Sequence, residues 1–364
     1  MSQPRRIAIG SGQAESVVWI GAGLLSTARR YLASPSGRFL LVTCAGARRP
    51  AQRIRAALSG RILADIEIDD HESEKTLAAV SRIADAALAA GVRRDDALVA
   101  VGGGVVCDVA GFAAAILLRG IAWSAVPTTT GAMADAAIGG KTGVDHAAGK
   151  NLLGAFHPPR AVLIDPEAAA TLPDRDFRAG LVEAFKAAWI ADAEFAKRAE
   201  DAIEGTLRRE ESPLLDLLAG SAAIKAAIVS EDLKEEDRRR LLNFGHTLGH
   251  AFEAAGGYRD LRHGEAVAWG IAAALEISRV RAGLREEEAL RVRRVLRLLG
   301  PFPEPVRDPN VLAPYLSRDK KGSARGIAGV VLEAVGRARI DEAIPLEDWL
   351  KAAVHAGFDE RRPA

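Results

Sequence analysis

The segment LLNFGHTLGHAFEAAGGYRDLRHGEAVAWG, residues 241–270, gathers His246, His250 and His263 in a chain of 364 residues that has seven histidines in all. His246 and His250 stand four apart, which puts both imidazoles on one face if the segment is helical. Imidazole is a good ligand for a zinc-like divalent ion, and a catalytic site commonly uses three protein ligands drawn from His and carboxylate, leaving room for substrate. Two arrangements are open. In one, the i, i+4 pair binds a single ion, as in HExxH helices, but Thr247 stands where that motif needs its glutamate, which argues against a zinc protease. In the other, one member of the pair joins His263 and a distant carboxylate. The stretch GLVEAFKAAW (180–189) supplies one: Glu183, with Lys186 three residues on along the same helical face.

A second chemical signal lies upstream. AVGGGVVCDVAG (100–111) places Gly102, Gly103 and Gly104 between a strand and a helix. Glycines there let the backbone approach a pyrophosphate, and the helix N-terminus presents N–H groups to it. The spacing is not GxGxxG, so a tight turn without a ligand is the competing reading. The next stretch, PTTTGAMADAAIGGKTGVDHAAGKNLLGAF (127–156), is a long connection rich in glycine and threonine, and such connections are usually functional. It carries Asp135, Lys141, Lys150 and Asn151 among small residues, which leaves the lysine charges accessible to phosphate.

The elements that must hold these groups follow from the pattern. The first half alternates strands such as FLLVT (39–43), RILADIEI (61–68), AWSAVP (122–127) and AVLIDP (161–166) with helical segments over Arg49–Leu58 and around SEKTLAAVSRIADAALAAG. This alternation predicts a parallel sheet with helices on both faces. After LPDRDF (172–177) the texture becomes Ala- and Leu-rich and helical. The expected architecture is a Rossmann-like α/β dinucleotide-binding domain over residues 1–168, then a mostly α-helical metal- and substrate-binding domain over 169–364. Lys+Arg totals 49 against Asp+Glu 48, so nothing global attracts nucleic acid or an anionic membrane, and any anion site must be local. Cys44 and Cys107 have no metal-site spacing and read as buried hydrophobes. No continuous apolar run approaches a bilayer span, and MSQPRRIAIGSG has no long apolar signal core, so the expected location is the cytoplasm.

Taken in order, GGGVVCDVAGFAAA, IGGKTGVDHAAGKNLLGAFHPP, GLVEAFK, LLNFGHTLGHAFE and RHGEAVAWG resemble the 3-dehydroquinate synthases, sugar-phosphate cyclases of the glycerol-dehydrogenase-like fold. The resemblance runs from about ESEKTL (72–77) to RDKKGSARG (318–326). It implies a homodimeric lyase that uses NAD and a divalent metal, zinc or cobalt. Its substrate would be 3-deoxy-D-arabino-heptulosonate 7-phosphate, turned over by transient oxidation, phosphate elimination, re-reduction and aldol closure.

Position by position, the resemblance implies Glu183, His246 and His263 as metal ligands. Asp135 and Lys186 would meet substrate hydroxyls. Lys141, Asn151, His250 and one of Lys320 and Lys321 would hold the phosphate, with Arg119 reaching the site of a neighbouring subunit. Lys225, Arg239 and Asn243 would take the carboxylate. Glu72, Lys75, Gly103, Gly104, Asp108, Thr128, Thr129 and Lys150 would hold NAD. The chain departs from the family pattern at Ala136 and Ala137, where hydroxyls are common, and at Cys44, where Asn or Asp is common. Cyclases whose substrates lack a carboxylate tend to carry IKQ where this chain has GGKTG (139–143), so Lys225 and Asn243 favour a carboxylated substrate. The amino analogue of the heptulosonate is the nearest alternative substrate. A metal-dependent polyol dehydrogenase is a further alternative, but it has no need of cation groups for two anionic ends.

Overall fold

The computed structural model describes residues 3–10, 15–318 and 326–358. Lys320 and Lys321 lie outside the described residues. Two compact units emerge: Met1–Pro173 with Leu214–Lys234, and Asp174–Pro213 with Glu235–Ala364.

In the first unit the order is β1 (Arg5–Ile9), β2 (Ser16–Ile20), β3 (Phe39–Thr43), α1 (Arg48–Ala57), β4 (Ile62–Glu67), α2 (Leu77–Ala89), β5 (Ala97–Gly102), α3 (Gly104–Ile116), β6 (Ala122–Pro127), β7 (Lys141–His146), β8 (Gly149–Phe156) and β9 (Ala161–Ile164). Seven strands form one sheet in the order β1-β2-β9-β6-β5-β3-β4. Only β1 runs antiparallel to its neighbour. FLLVT, ALVAVG and AVLI are buried at every position, the mark of parallel strands covered on both faces. Strand order reverses between β3 and β5, because β3 leads outward to β4 and the chain then returns to the other side of β3. In open α/β sheets a ligand crevice forms at that switch point, outside the carboxyl ends of the strands. Here those ends are Thr43 and Gly102.

The glycine- and threonine-rich connection turns out to be built rather than open. It contains a π-helical turn over Ala132–Ala136 and then the antiparallel hairpin β7–β8. Single π turns are uncommon and concentrate at functional sites; this one carries Asp135.

The remaining elements are α4 (Asp174–Ala191), α5 (Ala193–Asp201), α6 (Ile203–Leu207), α7 (Glu211–Glu231), α8 (His246–Ala255), α9 (His263–Ala282), α10 (Glu286–Leu299), α11 (Pro309–Arg318), β10 (Ile327–Ala334), β11 (Arg337–Ile344) and α12 (Leu346–His355). From Leu214 onward α7 belongs to the first unit, so the chain returns there after entering the helical half. Arg5 reaches Asp216 at 2.5 Å, the Gly10 N–H donates to Ser230 Oγ at 3.2 Å, and Lys225 pairs with Asp135. The helix α7 is long and apolar enough to pass as a membrane span, which the sequence did not lead us to expect. More than half of its most apolar stretch is buried within the protein, as in the core helix of a globular unit. The second unit is mainly helical but includes the β10–β11 hairpin. Its core gathers Leu248, Phe252, Trp269, Ile277, Leu312, Val331 and Trp349.

Candidate active site

In the second unit, α4 supplies Glu183 and Lys186, both buried. His246 is the first residue of α8 and His263 the first residue of α9. Two glycines make their meeting possible. Gly245, at φ 81°, turns the chain into α8 in the left-handed region that glycine tolerates best. Gly264 lets α9 lie directly on the backbone of α4: a Cβ there would stand 1.9 Å from the Ala179 carbonyl oxygen. Ala179 is one turn before Glu183, so this close approach delivers His263 to the carboxylate. The start of α9 is fixed further by Glu265, which accepts the Arg262 N–H at 2.8 Å and takes the Arg175 guanidinium at 2.6 and 2.8 Å.

The resulting cluster brings together the second arrangement considered from the sequence, one member of the pair with His263 and a distant carboxylate. Glu183 Oε1 lies 3.8 Å from His246 Nε2 and 3.6 Å from His263 Nε2, and one ligand atom from each residue falls within 4.8 Å of the others. Tetrahedral ligands at about 2.0–2.2 Å from a zinc-like ion stand roughly 3.3–3.6 Å apart, so the cage is nearly the size such an ion requires. Both Glu183 oxygens are buried, and neither makes a directed hydrogen bond to any described residue. Lys186 Nζ is 2.5 Å from Oε2, a contact of opposite charges, while its directed hydrogen bond goes to the Leu242 carbonyl. A buried carboxylate is costly unless its charge and lone pairs are met; Lys186 meets Oε2, and a divalent cation in the cage would meet Oε1 between the two imidazoles. The residues fit a metal.

The imidazoles differ in environment. Burial, then the neighbouring Lys186 ammonium and the other two rings, hold His246 well below the usual histidine range, which keeps it in the neutral form a metal needs. Its Nδ1 faces the Phe244 carbonyl at 3.3 Å. At His263, crowding disfavours the charged ring, but the Glu253 carboxylate at Nδ1 (3.3 Å) and then Glu183 outweigh it and raise its pKa. His250 is exposed, with its ring edge-on to His246 at 5.2 Å between centroids. Together with Glu253 and His263 it forms a second group close enough to hold an ion. Arg239 is buried in the same unit, and Asn243 Nδ2 donates to Glu235 at 2.9 Å.

In the first unit, the residues expected around a dinucleotide cluster at the carboxyl ends of the strands. Gly103 is the N-cap of α3 and no side chain caps that helix, leaving its first N–H groups for a pyrophosphate. Across from it, a Cβ on Gly103 would stand 3.1 Å from Thr129 Cγ2, and the Thr128 N–H donates to the Gly102 carbonyl at 2.9 Å. Lys75 meets Asp108 at 2.6 Å and Lys150 meets Glu72 at 3.0 Å. Burial raises the Asp108 carboxyl despite Lys75; it pulls Lys75 the other way, but Asp108 holds that ammonium above its usual value. With an uncapped helix at a switch-point crevice, this unit fits a dinucleotide.

Asn151 adopts φ 56° and its N–H donates to Asp145 at 2.8 Å, whose own N–H donates to the Lys75 carbonyl. This chain of bonds fixes the hairpin that carries Lys141 and Asn151 to the short turn before α2 that carries Lys75. Lys225 donates to both the carbonyl (2.6 Å) and the carboxylate of Asp135. The sequence placed these two at different parts of the substrate; the structure makes them one ion pair. Arg119 is exposed, in a left-handed turn with Leu118. Cys44 is buried beside Asp70; burial first and that carboxylate second push its thiol up to about 12, so it is neutral and unreactive. Sequence reasoning passed over Glu253. Its only signal is position, three residues after His250 and seven after His246 on one helical face.

Comparison with known proteins adds the final observation. The 3-dehydroquinate synthase N-terminal model matches residues 65–179 and the C-terminal model residues 180–322. The chain is 45% identical to the 3-dehydroquinate synthase of Thermosynechococcus vestitus over 76% of each chain. It is 40% identical to that of Symbiobacterium thermophilum over 96% of this chain and 99% of the relative. Among solved structures, the 2-epi-5-epi-valiolone synthase of Streptomyces hygroscopicus, with NAD+ and Zn2+ bound, is 31% identical with a TM-score of 0.84, covering 97% of this chain and 99% of that one. A 2-deoxy-scyllo-inosose synthase with carbaglucose-6-phosphate, NAD+ and Co2+ is 25% identical with the same TM-score, covering 97% and 100%.

Proposed function

The chain belongs to the 3-dehydroquinate synthase family, and from that premise we propose that it converts 3-deoxy-D-arabino-heptulosonate 7-phosphate to 3-dehydroquinate and inorganic phosphate as an NAD- and metal-dependent carbon–oxygen lyase. The observation that carries the reading is the preformed Glu183–His246–His263 cage, with its buried carboxylate, in a chain about 40% identical to these synthases over nearly its whole length. When bound, NAD would take and return a hydride at one substrate carbon while the ion would stabilise the oxygen there.

The protein's own contribution is binding and orientation. Glu183, His246 and His263 hold the ion. Lys186, buried and donating to the Leu242 carbonyl, keeps a positive charge fixed beside the cage, where a substrate oxygen gains negative character. Asp135 contacts substrate hydroxyls while its partner Lys225, with Arg239 and Asn243, takes the carboxylate. The ion pair seen here then exchanges partners when substrate arrives. Lys141, Asn151, His250 and one of Lys320 and Lys321 take the phosphate. Glu72, Lys75, Gly103, Gly104, Asp108, Thr128, Thr129 and Lys150 take the dinucleotide. Arg119 completes the phosphate site of a second subunit in a homodimer. Residues 1–168 form the dinucleotide domain, and the protein works in the cytoplasm without nucleic acid or membrane.

Incubating the purified protein with the heptulosonate phosphate, a divalent metal and a catalytic amount of NAD+ tests the reading. Phosphate release far in excess of NAD+, without accumulated NADH, is expected. Stoichiometric NADH would identify a dehydrogenase instead, and absence of phosphate would reject the synthase.

A further inference from the structure

Both histidines of the cage present Nε2 to Glu183 and have an acceptor at Nδ1. For His246 that acceptor is a main-chain oxygen, of Phe244, two residues earlier in the turn that leads into α8 and fixed by the fold. For His263 it is a side chain, Glu253, which is buried on α8 and reaches across to the first residue of α9. The two rings are not equally confined. His246 is 12% exposed whereas His263 is 48% exposed, so packing alone does not fix the His263 ring.

We propose that Glu253 is a positioning residue for the metal centre: its carboxylate accepts the Nδ1–H of His263, selecting the tautomer and ring orientation that turn Nε2 toward the ion beside Glu183. The inference rests on the metal reading above. Its physical logic is that a neutral imidazole carries one proton, and a carboxylate at Nδ1 holds it there, leaving the Nε2 lone pair free. The same carboxylate makes the ring a stronger ligand. An amide in its place can turn its NH2 toward Nδ1 and stabilise the opposite tautomer, whose Nε2–H cannot bind a metal.

The test uses the full chain, stripped of metal, as wild type, Glu253→Gln and Glu253→Ala. Zn2+ affinity is measured by competition with a fluorescent chelator, and the ligand-field absorption spectrum is recorded after Co2+ loading. Melting of each metal-free protein is followed in parallel. Expected for both variants are Zn2+ affinities about 10–100-fold weaker and an altered Co2+ spectrum, with metal-free melting of the isosteric Gln variant close to wild type. A Gln variant with wild-type Zn2+ affinity and Co2+ spectrum would overturn the proposal, as would a loss of folding stability with no change in affinity. If Glu253→Gln abolished binding while Glu183→Gln kept it, Glu253 would be a ligand of the His250–His263 group. A wild-type protein that binds no metal would overturn the metal reading itself.

Discussion

Replacing Glu183 with Gln keeps the size of the side chain and removes the one negative ligand of the cage. The structure says what should follow. A ligand that binds only the folded state stabilises it by about 2.7 kcal/mol at a free concentration ~100 times its Kd. The cage lies wholly in the second unit, which spans about 170 residues. At an unfolding entropy near 2.1 cal/mol/K per residue, that unit would gain roughly 7–8 °C in Tm, or about 3–4 °C if the whole chain melts together. The assay is scanning calorimetry of chelator-stripped protein with and without Zn2+. Each variant is compared with its own metal-free form, because Gln also takes away the partner of the buried Lys186 ammonium. The wild type should show the shift, and Glu183→Gln should show nearly none. An equal shift in both would refute the assignment of Glu183 to the cage, however the absolute stabilities differed.

Other outcomes follow from the same geometry. Lys225→Ala should weaken substrate binding by about 10–150-fold, the worth of a charge-assisted hydrogen bond of 1.5–3 kcal/mol. NAD+ affinity should be little changed; equal losses by calorimetry would contradict the carboxylate role. Gly264→Ala forces a Cβ into the Ala179 carbonyl, so it should cost about 1–3 kcal/mol and lower Zn2+ affinity; unchanged metal binding would show that the close approach of α9 to α4 does not set the cage. Asp96 is buried, and although burial raises its carboxyl, Ser36, the Arg93 N–H and the Arg38 fork outweigh it and hold the pKa below the usual carboxylate value. Its contribution is therefore present above about pH 4 and lost as pH falls through the lowered value. Asp96→Asn should cost roughly 2 kcal/mol at neutral pH, and denaturant melts should show the gap to wild type closing under acid; a constant gap would contradict the linkage.

Legibility in the sequence followed the range over which each signal acts. His246, His250 and His263 advertise themselves because imidazoles are scarce and helical spacing is regular. The turn at Gly102–Gly104 is legible because a buried strand meets a helix there. The β7–β8 hairpin was not, since small residues alternate with exposed Leu152 and Phe156 and show no strand periodicity. Nothing local reveals that Leu214–Lys234 packs with the first unit. That depends on Lys225 meeting Asp135, ninety residues earlier. Glu253 is hidden for the same reason: its partner His263 is on another helix. Spacing shows only that two histidines share a face; the resemblance singled out His246, and the structure sets its Nε2 3.8 Å from Glu183 Oε1.

The most direct test of the account is an anomalous-difference map from crystals of the protein soaked in Zn2+. The account predicts one strong peak per chain, about 2.0–2.2 Å from a Glu183 oxygen and from Nε2 of both His246 and His263. A peak held instead by His250, Glu253 and His263, or none in the cage at saturating zinc, would contradict it.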